Sequence, residues 1–205
     1  MKTLKQKMEE SGLFQLSKSD AAAFCMACAE RVRPVVKQLA SPPTKAIYDK
    51  ALEAGWSNLA HSGESHRIEK LMTALRTSDV TGEPTRRTFY VKEPLAALHH
   101  GLRAILFETP AKEAGAAWAL SVGLARYCDY HLRKCDAPSP DYPLDELTCE
   151  DLENDGIEES LRILAACAGD PQKVREQLRP ASQARCLTLQ AALSRIDRAG
   201  GFGSK

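Results

Sequence analysis

In block after block of this chain the apolar residues recur at three-and-four spacing, the period of one face of an α-helix. Phe24, Cys28, Val32, Val35, Val36 and Leu39 form one such stripe. Ile47, Ala51, Leu52 and Leu59 form the next, then Ile68, Leu71, Met72 and Leu75. Leu95, Leu98, Leu102, Ile105 and Leu106 follow, then Trp118, Val122, Leu124, Ala125 and Leu132. Ile157, Leu161 and Leu164, and finally Cys186, Leu189, Leu193 and Ile196, close the series. A chain patterned this way buries its apolar stripes by packing helix on helix.

Caps and prolines mark the expected boundaries. Ser19 or Asp20 is placed to cap a helix from Ala21, and Pro34 inside it predicts a kink or a restart. Further helices are expected over Thr44–Ala60 and Glu64–Arg76, from Pro94, from Ala111 to about Lys134, and over Gly156–Gly169. Asp170 should cap a short helix begun by Pro171, which Pro180 separates from the last one. Thr88-Phe89-Tyr90-Val91 has strand propensity without a partner strand, so it reads as an extended connection. The small residues Gly115, Ala116, Ala119 and Gly123 invite close helix approach. The helices on either side of Thr109-Pro110 therefore look like a central Ala-rich hairpin. The expected fold is all-α: one domain over residues 1–199, a bundle of about eight helices, with 200–205 a flexible tail.

The chain has 205 residues and a net charge of +1, from 28 basic and 27 acidic side chains. That balance argues against a dedicated nucleic-acid binder. No stretch approaches the roughly 18 to 20 apolar residues of a membrane span. Ala21–Ala29 is apolar throughout, but Glu9, Glu10 and Asp20 precede it, unlike a signal peptide. Seven cysteines without framework spacing suit reduced thiols, and the expected compartment is the cytoplasm.

Several side-chain groupings could carry chemistry. Cys25-x-x-Cys28 is a thiol pair, and Cys128, His131 and Cys135 fall on one helical face. Together they could form a thiolate-rich metal or redox centre. On apolar helix faces, however, such cysteines more often serve as small core residues. His99-His100, His61 and His66 lack the Glu-x-x-His pattern of a di-iron bundle. No phosphate loop or nucleophile elbow is present. Arg86-Arg87 beside Phe89 and Tyr90 could touch a nucleic acid, though a loop arginine pair is usually solvated. No cofactor is expected.

The uneven charge is more informative. Between Asp136 and Leu161 lie ten acidic residues: Asp136, Asp141, Asp145, Glu146, Glu150, Asp151, Glu153, Asp155, Glu158 and Glu159. No Lys or Arg stands among them, whereas Arg162 to the end holds eight basic and three acidic residues. Such a local field steers a basic partner.

Phe24-x-x-x-x-Ala29-Glu30-Arg31-Val32-x-Pro34 resembles the opening helix of a family of small all-helical bacterial proteins of unknown function. The Ala-rich double helix from Pro94 through Tyr130 is similar to that family's later helical pair. The resemblance spans about residues 20 to 165 and attaches no catalytic residues to the pattern. By size and fold class the chain is also similar to bacterial immunity proteins, which neutralise toxins delivered by secretion systems. That analogy implies a non-enzymatic binding protein occluding the basic cleft of a cognate toxin, a nuclease or a nucleotide-using enzyme. The expected contact residues are Tyr142, Asp145, Glu146, Glu150, Asp151, Glu153 and Asp155. Direct nucleic-acid or membrane contact is not expected, and a homodimer is compatible with the reading. The alternatives are a metal or redox protein built on Cys25, Cys28, Cys128, His131 and Cys135, and a helical adaptor or homodimeric scaffold.

Overall fold

The alanine-rich run at residues 21–29 belongs to a helix covered on nearly every side, and this helix organises the molecule. A computed structural model describes residues 3–60, 63, 65–77, 86–133, 148–167 and 170–200. Eight α-helices lie among them: α1 (Leu4–Glu10), α2 (Lys18–Leu39), α3 (Pro42–Ala60), α4 (Ser65–Thr77), α5 (Arg86–Leu106), α6 (Pro110–Leu132), α7 (Cys149–Ala166) and α8 (Pro171–Arg198). A 3-10 turn, Leu13–Gln15, links α1 to α2. The fold is an all-α, single-domain bundle with no strand among the described residues.

Sixteen of the 22 residues of α2 are buried, and α3, α5, α6, α7 and α8 all pack against it. Small side chains make this possible, since Ala21, Ala22, Ala23, Ala27 and Ala29 let neighbours approach closely. The larger Met26 fits because two neighbours are glycines: a Cβ at Gly55 in α3 or Gly101 in α5 would overlap its thioether. The α5–α6 hairpin forms as expected, with α2 beside it as the helix that meets most of the others.

Prolines interrupt this fold less than their chemistry suggests. Pro34 lies inside an unbroken α2, begun by Ser17 as cap rather than by Ser19 or Asp20. A proline at this position removes the N–H that would bond the Glu30 carbonyl. The Cys186 thiol of α8 donates to that carbonyl instead, at 3.0 Å. Pro180 is exposed within a continuous α8, so the two expected helices are one. Its buried neighbours Leu178 and Ser182 hold the same face on both sides. The carbonyl it orphans, on Glu176, belongs to an exposed residue that water can serve.

Three other boundaries differ from expectation. Thr88–Val91 is helical rather than extended. Tyr90, Val91, Pro94, Leu95 and Leu98 are all buried and continue one helical stripe, so packing overrides local strand propensity. α7 starts at Cys149 rather than near Gly156, drawing the acidic residues 150–155 into the helix. α1, capped reciprocally by Thr3 and Gln6, is an unexpected element. Residues 201–205, expected as a flexible tail, lie outside the described residues, and no described helix is long and apolar enough to cross a membrane.

Candidate functional site

α7 carries six carboxylates, and its local chemistry decides which of them face outward. Thr148 caps it, its side chain accepting the Asp151 N–H while Asp151 accepts the Thr148 N–H. Asp129 of α6 accepts from the backbone of Cys149 at 2.7 Å and of Glu150 at 3.0 Å. The first-turn donors of α7 therefore already have protein acceptors. Along the helix, Cys149, Gly156, Ile157, Ser160 and Leu164 are buried.

This orientation sorts the acidic residues into two sets. Glu153 turns inward, with a side chain 10% exposed, and takes the Arg31 Nε at 3.0 Å. Glu150 pairs with Arg126 of α6 at 2.7 Å, and Glu159 with Arg185 of α8 at 2.7 Å. Asp151, Asp155 and Glu158 are exposed, at spacings of four and three that place them on one outward stripe. The expected contact residue Glu153 is thus an inward-facing, largely covered anchor, and Glu150 is half-buried and paired. Asp151 and Asp155 face solvent. Tyr142, Asp145 and Glu146, with Asp136 and Asp141, lie outside the described residues. Arg162, also exposed, ends the stripe one turn beyond Glu158.

The middle of α2 carries a polar seam, one half of which lies beneath α7. Adjacent residues at the middle of α2 reach in different directions. Glu30 is fully buried and accepts from Trp56 Nε1 of α3 at 3.0 Å and from Arg33 at 3.0 Å. Arg179 of α8 lies 3.5 Å from the same carboxylate and also pairs with Glu53 of α3. Arg31, 2% exposed, reaches Glu153, donates to Ser160 at 2.8 Å, and contacts the Cys28 sulfur. Burial opposes the Arg31 charge, but Glu153 and the Cys28 sulfur together outweigh it and hold the guanidinium protonated. A Cβ on Gly156 would come within 3.0 Å of both the Arg31 and Arg185 stems, so this glycine is where the two arginines pass under α7. The sign in the sequence was available: Glu30-Arg31 is a charged pair between an apolar run and Val32, Val35 and Val36. It carried a resemblance, whereas its burial called for partners.

The cysteines occupy different surroundings. Cys25 and Cys28 are fully buried in α2; burial raises both thiols, Cys28 to about 11. Cys128 is also buried and its thiol raised, while His131 is half-buried, its ring 5.7 Å from Tyr90 and 5.3 Å from Tyr130. Cys135 lies outside the described residues. Among the described residues, no three His, Cys, Asp or Glu side chains come together as metal ligands. Of the histidines, His100 bonds the buried Glu113 through Nδ1 at 2.6 Å, and Arg103 braces the other Glu113 oxygen at 3.0 Å. His66 is exposed; His61 and the side chains of Arg86, Arg87 and Phe89 lie outside the described set.

Two open grooves mark the surface, one of them beside the acidic helix. One, of about 660 Å³, lies between α1, α6 and α7, with Trp118 and Leu161 in its lining and Lys7, Glu10, Glu158 and Arg162 bringing both charge signs to it. The other, of about 560 Å³ between α2 and α8, is lined by Glu30, Arg33, Lys37 and Cys186, among others. Its cations are engaged: Arg33 and Lys37 both pair with Asp49. Burial raises the Cys186 thiol to about 12, which keeps it protonated as the donor to Glu30. Compared with known protein families, curated proteins and solved structures, the chain matches none.

Proposed function

We propose that this chain is a binding protein of the immunity type, which neutralises a toxin by covering its basic active-site cleft with α7. The observation that carries the reading is the outward stripe of Asp151, Asp155 and Glu158. These carboxylates are exposed while their neighbours Glu150, Glu153 and Glu159 attach the helix to the bundle. A helix anchored by one set of charges and presenting another is preorganised for a charged partner, which favours fast, salt-sensitive association. The adjoining acidic residues Asp145 and Glu146, with Tyr142 as an aromatic anchor, extend the proposed contact.

The test is capture at low ionic strength from the cells that make the protein, using the wild type and Asp155→Lys/Glu158→Lys in parallel. Each recovered protein is then expressed alone and together with either form. Growth arrest by the partner, relieved by the wild type and at least tenfold less effectively by the double variant, supports the reading. A partner that is harmless when expressed alone refutes the immunity role. Equal protection by both forms removes the exposed α7 stripe from the interface.

A further inference from the structure

Away from α7, helices α4 and α5 enclose a groove of about 280 Å³. Leu75, Leu95 and Ala96 make it predominantly apolar, and Arg76, Lys92 and His99 stand around it. Lys92, Leu95, Ala96 and His99 follow helical spacing, so they run along one side of α5. Among the described residues, no carboxylate lines this groove. Arg76 and Lys92 are exposed, and neither forms an ion pair within the described residues. Elsewhere the molecule pairs cations freely, as Arg31, Arg33, Lys37, Arg103, Arg126, Arg179 and Arg185 do. Burial, with His100, Arg103 and Arg76 nearby, lowers the His99 imidazole, so at neutral pH it is an uncharged ring with one N–H donor.

We propose that the α4–α5 groove is a docking site for an acidic amphipathic helix of a partner protein. The helix would seat one large apolar side chain between Leu75, Leu95 and Ala96 and set carboxylates against Arg76 and Lys92. Charge complementarity selects this occupant: an apolar floor wants an apolar anchor, and two exposed cations with no ion pair among the described residues want anions. The length fits as well. Lys92 and His99 are seven residues apart, about 10 Å along the axis, which matches two turns of a docked helix. A large apolar residue of that helix, with a carboxylate one turn to either side, presents the complementary pattern to the groove. This surface is separate from the α7 stripe and does not rest on the immunity reading.

The test is fluorescence anisotropy with the intact protein and a labelled helical peptide carrying Glu, Leu and Glu on successive turns. Two control peptides replace both Glu by Gln, or the Leu by Ser. The proposal expects saturable binding of the first peptide and at least tenfold weaker binding of each control. It also expects at least tenfold weaker binding of the first peptide to Arg76→Ser/Lys92→Ser. Both substituted residues are exposed, so circular dichroism should show an unchanged helical fold. A second variant, Ala96→Glu, adds a repelling charge and bulk at the groove and should also reduce binding tenfold. No binding at 1 mM peptide, equal binding of the Glu and Gln peptides, or undiminished binding by both variants would overturn the proposal. So would a wild-type dimer in light scattering that Arg76→Ser/Lys92→Ser dissociates, because a second copy would then be the occupant.

Discussion

Arg31 and Glu153 join α2 to α7 across 122 positions of sequence, in surroundings where neither charge is well hydrated. Removing one partner of such a pair strands the other, at a cost of about 3–5 kcal/mol. Arg31→Met should therefore lower unfolding stability by roughly that amount. Arg31→Met/Glu153→Leu should recover most of the loss, because two apolar groups leave no stranded charge. Urea titrations of the single and double variants check this, and additive losses would show that the residues do not act as a pair. Only part of this was legible in the chain. A single acidic run gave no indication that Glu153 would turn inward while Asp155 turned out, since that sorting depends on where α7 begins. Once Thr148 is the cap, helical geometry separates the two residues by about 200°. Glu30 and Arg31 were legible as charges within an apolar helix, yet their partners lie on helices far along the sequence.

Periodicity identified most helices, because each stripe at three-and-four spacing faces the core where it was expected to. The errors fall where a local rule met a tertiary one. Thr88–Val91 joined α5 because Tyr90 and Val91 extend its buried face. Pro180 failed to divide α8 because its neighbours pack on both sides and the freed carbonyl can reach water. That carbonyl implies a prediction. Pro180→Ala restores a backbone donor in an exposed part of the helix, which outweighs the extra freedom the unfolded chain gains. The variant should be more stable by about 1–2 kcal/mol, visible as a higher midpoint in thermal unfolding. A lower midpoint would mean that the proline ring itself contributes packing. The corresponding change at Pro34 is not equivalent, since the Cys186 thiol already occupies the Glu30 carbonyl there.

At the scale of the whole molecule, burying so many thiols around α2 sets the stability at high pH. Burial raises Cys25, Cys28, Cys128 and Cys186, Cys28 to about 11 and Cys186 to about 12. Unfolded thiols ionise near 8.5. The folded state thus retains protons that the unfolded state releases, so their contribution is complete below about pH 8.5 and is lost as pH rises toward the folded values. Each thiol contributes a slope of about 1.4 kcal/mol per pH unit in that window. At the acidic end the sign reverses. Hydrogen bonds from His100 and Arg103 outweigh burial and hold Glu113 below its ordinary value, and the Arg179 hydrogen bond lowers Glu53. Their contributions are present above about pH 4.3, the unfolded value, and disappear as pH falls through the lower folded values. Denaturant midpoints should form a plateau between about pH 7 and 8.5 and decline on both sides. The acidic decline begins near pH 6.5, where the unfolded chain protonates His99 before the folded one does, and steepens as the carboxylates titrate. Cys28→Ala/Cys128→Ala should make the alkaline decline shallower, and an unchanged slope would contradict this account.

The bonds from Asp129 to the start of α7 have a practical consequence for engineering. They hold the start of α7 against α6 through a side chain of α6 itself, so the connection between the two helices is not the sole tether. The length of that connection is therefore adjustable. Ten added glycine and serine residues would raise the entropy of closing the loop by only about 0.5 kcal/mol. A fluorophore, epitope or whole reporter domain grafted between α6 and α7 should leave the helix seated, placing the label beside the acidic stripe proposed to meet the partner.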